Sequence, residues 1–164
     1  MRYKPTLPVL ILLPFLVLAA CDSSPSEPND QDDMFGTLSA RVNGELFEYQ
    51  YAYSVRESGQ RHIVGTTRPE GGPPAIGLLL APFAGTGTYT IGEATNHNGQ
   101  GIQVAGFPVF STEFEGGTGT IVVTEEMPRL KGTFSFTARG STTASPVPVE
   151  VVVTEGQFDV PRVD

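Results

Sequence analysis

Beyond Met34 the chain consists of short runs in which apolar and polar residues alternate with a period of two, separated by segments containing glycine and proline. That alternation predicts β-strands, because successive side chains of a strand point to opposite faces and only one face is buried. After Gly44, the residues Phe47, Tyr49, Tyr51, Tyr53 and Val55 are expected on one face, and Glu48, Gln50 and Ser54 on the other. The stretch from Leu130 to Arg139 repeats the pattern, with apolar or small residues at even positions and polar ones at odd positions. Ile76 to Ala81 and Val149 to Val153 are more uniformly apolar and predict central strands covered on both faces. Further strands are expected over residues 36–42, 62–67, 86–91, 101–107, 119–124 and 156–160. Asn43-Gly44 between two alternating runs predicts a type I′ hairpin, whose two central positions both need positive φ. Short, regularly spaced strands with little helical periodicity predict an all-β fold in one domain, residues 34–164. It is expected as an antiparallel β-sandwich or a small β-barrel-like meander.

The residues before that domain have a different character. Residues 1–20 carry Arg2 and Lys4, then an apolar run from Leu7 to Leu18, then Ala19-Ala20, the layout of a secretory signal peptide. Pro8 and Pro14 would break a membrane-spanning helix, so the run reads as a leader that is removed. Leu18-Ala19-Ala20-Cys21 resembles the lipobox of bacterial lipoproteins, which implies that the Cys21 thiol takes a diacylglycerol group and its amine a palmitate-type acyl chain. Each buried methylene adds about 0.8 kcal/mol, so several chains together hold the protein in a bilayer. Residues 21–33 then contain no apolar residue after Cys21 and no positive charge, and are expected to be a disordered spacer. At about 3.1 Å per residue its reach is on the order of 35 Å. Asn29 to Asp33 lacks the turn glycine and distal glutamate of a calcium loop and reads as solvated tether.

Charge and cysteine usage narrow the function classes. The whole chain has a formal net charge of −8, and cleavage before Cys21 removes two basic residues and no acidic one. Such a chain repels phosphate backbones and anionic headgroups, so no nucleic-acid partner is expected, and the membrane is held through lipid on Cys21. Cys21 is the only cysteine, which leaves no disulfide, thiolate nucleophile or cysteine metal site. His62 and His97 have no partner at metal-ligand spacing, so neither a metal nor a cofactor is expected. The chain has no Gly-x-Ser-x-Gly elbow, and Gly71-Gly72-Pro73-Pro74 and Gly116-Gly117-Thr118-Gly119 read as turns, with no lysine or following helix to cradle phosphate. Glu113 and Glu115 are expected on one strand face, where they read as a solvated edge rather than the converging pair of a glycosidase. Tyr49, Tyr51 and Tyr53 form the one face with binding interest, since tyrosine combines flat apolar area with a polar tip; core packing is the competing reading.

Several segments together resemble a family of uncharacterised bacterial lipoproteins that carry a secreted all-β domain of unknown function. They are Ala40 to Phe47, Gly87 to Ile91, Gly119 to Thr124, Lys131 to Ala138 and Thr154 to Val160, whose order and spacing cover most of the domain. Phe47 stands where the early pattern usually has tryptophan, and this chain has none. The resemblance implies a lipid-anchored all-β domain and brings no catalytic or ligand residues with it.

The expectation is therefore a non-enzymatic binding or structural domain in a bacterial cell envelope, outside the cytoplasm, with an envelope protein or glycan as partner. A barrel-like carrier of a small apolar ligand is the alternative, and an envelope hydrolase using Glu113 or Glu115 a more distant one. Replacing Cys21 by Ala is expected to move the protein from the membrane to the soluble fraction. Fractionation that still finds Cys21→Ala in the membrane would remove the lipid anchor from this account.

Overall fold

The computed structural model describes residues 34–104, 107–142 and 145–163; the leader, Cys21 and the acidic spacer lie outside the described residues. Ten strands follow one another: β1 (Gly36–Val42), β2 (Glu45–Glu57), β3 (Gln60–Thr66), β4 (Ala75–Leu80), β5 (Gly87–Gly92), β6 (Asn98–Val104), β7 (Phe107–Ser111), β8 (Thr118–Glu125), β9 (Arg129–Thr142) and β10 (Ser145–Val163). Among the described residues there is no helix. The expected Asn43-Gly44 hairpin joins β1 to β2, with φ of 51° and 87°. Ser58-Gly59 joins β2 to β3 in the same way, at 50° and 81°.

The strands form one mixed sheet whose hydrogen bonds close into a ring, running β10–β1–β2–β3–β4–β6–β7–β9 and back to β10. Neighbours around the ring are antiparallel. β9 is long enough to serve two partners on one edge: β8 along Lys131 to Thr137, then β7 along Arg139 to Ser141. β5 pairs with β8 and extends the sheet there. The end of β10 adds a short parallel rung to β2, Arg162 beside Ser54 and Val163 beside Val55, and the Ser54 hydroxyl donates to the Pro161 carbonyl at 3.0 Å.

Burial follows the alternation. Leu130, Phe134, Phe136 and Ala138 of β9 point inward with Val151, Val153, Phe158 and Val160 of β10, and meet Leu38, Ile63, Leu78, Phe110 and Ile121. Because the sheet is a single layer, every second residue faces out even in its most apolar strands. Ile76, Leu78 and Leu80 are buried while Leu79 is half-buried, and Val152 is exposed beside buried Val151 and Val153. The expectation of strands covered on both faces is corrected at these positions.

Rings of phenylalanine lie against glycines of other strands. A Cβ on Gly99 would sit 2.7 Å from the Phe136 ring, one on Gly101 2.6 Å from Phe110, and one on Gly156 2.5 Å from Phe134. Gly132 faces the Phe158 ring more tightly still, and Gly119 lies against the Cβ and backbone of Phe136. Gly99 and Gly101 lie inside β6, where the rings need the volume a side chain would fill.

Three other expectations are corrected. The 101–107 run is divided between β6 and β7, and the runs at 149–153 and 156–160 are one strand interrupted by a bulge. There Glu155 has φ of 52° and the register shifts between Val153 and Gly156. Glu113 and Glu115 lie in the turn between β7 and β8, exposed and not on a strand.

Gly99→Ala is expected to destabilise the domain by about 1–3 kcal/mol, since the Phe136 ring must move within a packed core. Gly77 faces outward and its Cβ would meet only Gln100, at 3.6 Å, and the Ile63 carbonyl at 4.0 Å. Gly77→Ala is therefore expected to be neutral or to stabilise by up to about 1 kcal/mol. Denaturant unfolding of the pair measures the difference, and equal midpoints would contradict the ring-on-glycine account.

Candidate functional site

A β-bulge decides which tyrosines reach the surface. β1 opposes Leu38 to Tyr49 but Gly36 to Ala52, so β2 inserts one extra residue between Tyr49 and Ala52. Before the bulge Tyr49 points inward, stacked on Phe47 with ring centroids 6.4 Å apart; after it Ala52 and Ser54 take the inner positions. Tyr51 and Tyr53 consequently face outward. Tyr49 is separated from them, on the other face, and burial pushes its phenol up to about 12. Of the three tyrosines singled out in the sequence, the structure brings two together.

Phe35, just before β1, completes that outer cluster. Its ring meets Tyr51 edge-on at 5.3 Å and 84°, and Tyr53 at 6.4 Å and 66°. The cluster continues across the sheet by register, with Val64 beside Tyr53, His62 beside Val55, and Leu79 beside His62. The result is a face of three aromatic rings and several aliphatic side chains on β2–β4, beside the point where the preceding chain joins the domain.

At the ends of these strands the surface becomes polar. Ser58, Gly59 and Gln60 from the β2–β3 hairpin, Leu79, Ala81 and Pro82 from the end of β4, Thr95 and Asn96 from the β5–β6 turn, and Glu113 line a groove of about 540 Å³. Leu79 belongs to both the aromatic face and the groove, so the two are continuous. No lining residue is cationic.

The loops around the groove are held by specific hydrogen bonds. The Ala81 N–H donates to His97 Nδ1 at 2.9 Å, which places the remaining ring proton of a neutral imidazole on Nε2. The His97 ring stands edge-on to Tyr89 at 5.1 Å. Next to it, buried Asn98 accepts through Oδ1 from the Thr112 hydroxyl at 2.7 Å and the Ser111 hydroxyl at 3.1 Å. Thr112 Oγ1 accepts from the Gly99 N–H at 3.0 Å, and Ser111 Oγ from the Glu113 N–H at 3.1 Å. This buried clip binds β6 to the start of the β7–β8 turn and fixes the backbone that carries Glu113.

His62 lies on β3, in the outer face, and His97 in the β5–β6 turn. Among the described residues no group of three His, Cys, Asp or Glu is placed to hold a metal ion. Glu113 reaches the groove, and Glu115 is not among its lining residues. Ser58 and Gln60 of the β2–β3 hairpin and Asn96 of the β5–β6 turn escape a reading of the sequence because they are distant in the chain, and come together only because β4 pairs with β6 rather than with β5.

Elsewhere the outer surface is charged and internally paired. Lys131 lies 3.1 Å from Glu125 and 3.8 Å from Asp159, Arg129 pairs with Asp159, and Arg41 with Glu155 at 3.0 Å.

Residues 36–161 match the model of a family described as a domain of unknown function, DUF6252. No curated protein matches, and no solved structure does.

Burial holds the His97 imidazole below its ordinary range, and its Nδ1 lone pair is occupied by Ala81. The folded state therefore binds this proton less readily than the unfolded chain. The resulting stability is fully present above the unfolded value of about 6.5 and is lost as pH falls from there through the lowered folded value. Wild type should lose stability between pH 7.5 and 5.5 more steeply than His97→Gln, in which this titration is absent. Parallel pH profiles from denaturant unfolding would show that His97 is not linked to folding.

Proposed function

The chain belongs to the DUF6252 family, and we propose that it serves as a lipid-anchored domain of a bacterial cell envelope, binding a protein or glycan partner through its outer surface without catalysing a reaction. The observation that carries this reading is the Phe35–Tyr51–Tyr53 cluster, three aromatic rings gathered on the outer face where the chain enters β1. Rigid aromatic side chains on a solid scaffold provide contact area at low entropic cost. The interior supports an external site, since Phe110, Phe134, Phe136 and Phe158 are buried in a shared core. The leader, Cys21 and the acidic spacer supply the anchoring half of the proposal, holding the domain within a spacer's length of the bilayer.

The test is crosslinking in the envelope of the producing bacterium, followed by recovery of the untagged protein with an antibody. Bound proteins are quantified by mass spectrometry and bound sugars by analysis of the same eluate. A partner captured by wild type should fall about tenfold or more in the double variant Tyr51→Ser/Tyr53→Ser, as expected when central aromatic anchors are removed. Equal capture by both, or capture of nothing by wild type, would overturn the outer-face reading.

A further inference from the structure

We propose that the groove beside the aromatic face is a saccharide subsite, taking a neutral or amine-bearing oligosaccharide whose next units lie along Leu79, Val55 and Tyr53. The inference rests on the reading of this chain as an envelope binding domain and narrows its ligand to one class.

The first argument is the chemistry of the lining. Gln60 and Asn96 each offer a planar amide with donor and acceptor side by side, Ser58 a hydroxyl, and Glu113 a carboxylate with two acceptor oxygens. Such planar, two-point groups match the adjacent hydroxyls of a sugar ring. Leu79, Ala81 and Pro82 add an apolar wall for the ring's C–H face. A volume of about 540 Å³ lies within the range of small-ligand clefts, and a few convergent polar groups on an apolar wall are their usual make-up.

Charge selects among sugars. The only ionised group lining the groove is the Glu113 carboxylate, and the chain as a whole is acidic. An anionic ligand such as a polyuronate would be repelled, whereas a neutral sugar loses nothing and an amino sugar gains an ion pair.

Geometry gives the ligand its length. Four residues separate Tyr51 from Val55, about 13 Å along the strand, and two strand spacings of about 4.8 Å lead from β2 across to Leu79 on β4. A monosaccharide would occupy the groove alone; a chain of several units would also cover the rings. An extended peptide has less to bind, because β3 is hydrogen-bonded to β2 and β4, and β4 to β3 and β6, leaving neither strand an open edge for strand addition. The groove is also held ready, with Ala81 tied to His97 and the Glu113 backbone to the Asn98–Ser111–Thr112 clip.

The mature lipidated protein, purified in detergent, would be titrated calorimetrically with three probes: tetra-N-acetylglucosamine, the glucosamine tetramer and tetragalacturonate. Binding is expected for the glucosamine tetramer and tetra-N-acetylglucosamine, and none for tetragalacturonate. Asn96→Ala should weaken binding of both at least fivefold, and Glu113→Gln should weaken the glucosamine tetramer more than its acetylated form; circular dichroism confirms that the variants fold. Absence of binding by the two amino-sugar probes, equal binding of tetragalacturonate, or binding unchanged by Asn96→Ala and Glu113→Gln would overturn the subsite. If that happens while envelope crosslinking still depends on Tyr51 and Tyr53, the subsite falls and the broader binding role stands. If neither assay responds, both fall.

Discussion

Everything in this domain depends on how a ring of strands fills its own interior. The chain has no tryptophan, and much of the volume is supplied by phenylalanine rings that lie against glycines of other strands. Phe134 touches Phe136 and Phe158 in near-parallel stacks, with centroids 6.1 and 6.4 Å apart, and Phe110 leans on Phe136 at 6.3 Å. Each contact needs both an aromatic on one strand and a missing side chain on another, so register and packing specify one another. A slip of one residue in β9 would turn its rings outward and place polar side chains in the core.

The interior also holds a charge. Among the described residues Arg61 is the largest fully buried side chain; its guanidinium lies over the Phe83 ring at 5.4 Å and donates to the Val163 carbonyl at 3.2 Å. Phe83 in turn stacks on Tyr89, whose hydroxyl donates to the Gly85 carbonyl at 2.6 Å. A buried cation in this position ties β3 to the last residues of β10 and to the segment after β4. The surface ion pairs on β8–β10 are a different matter, since exposed pairs of this kind contribute about 0–1 kcal/mol each.

Much of this was readable in the sequence, for a reason particular to single-layer sheets: the period of two survives wherever a strand is unbroken. Leu130 to Ala138 alternates in the structure as it does in the sequence, and Asn43-Gly44 forms the turn its two positive φ angles require. The period fails where a strand gains a residue. The extra residue between Tyr49 and Ala52 carries no signature in composition, yet it sends Tyr51 and Tyr53 outward and leaves Tyr49 in the core. Glycine is ambiguous in a different way, because Gly119 ends a run that reads as a turn and begins one that reads as a strand, and the structure places it in β8. The groove was least legible of all, its lining residues being local to four different connections.

The inside and the outside of this sheet answer to different demands. Inward positions are bound to one another through rings and glycines, while the outward residues of β2, β3 and β4 enter none of those contacts. Substitutions at Tyr51, Tyr53, His62 or Gln60 can therefore accumulate without revising the interior. A scaffold divided in this way is free to exchange one ligand for another over evolutionary time, with its architecture passed on unaltered.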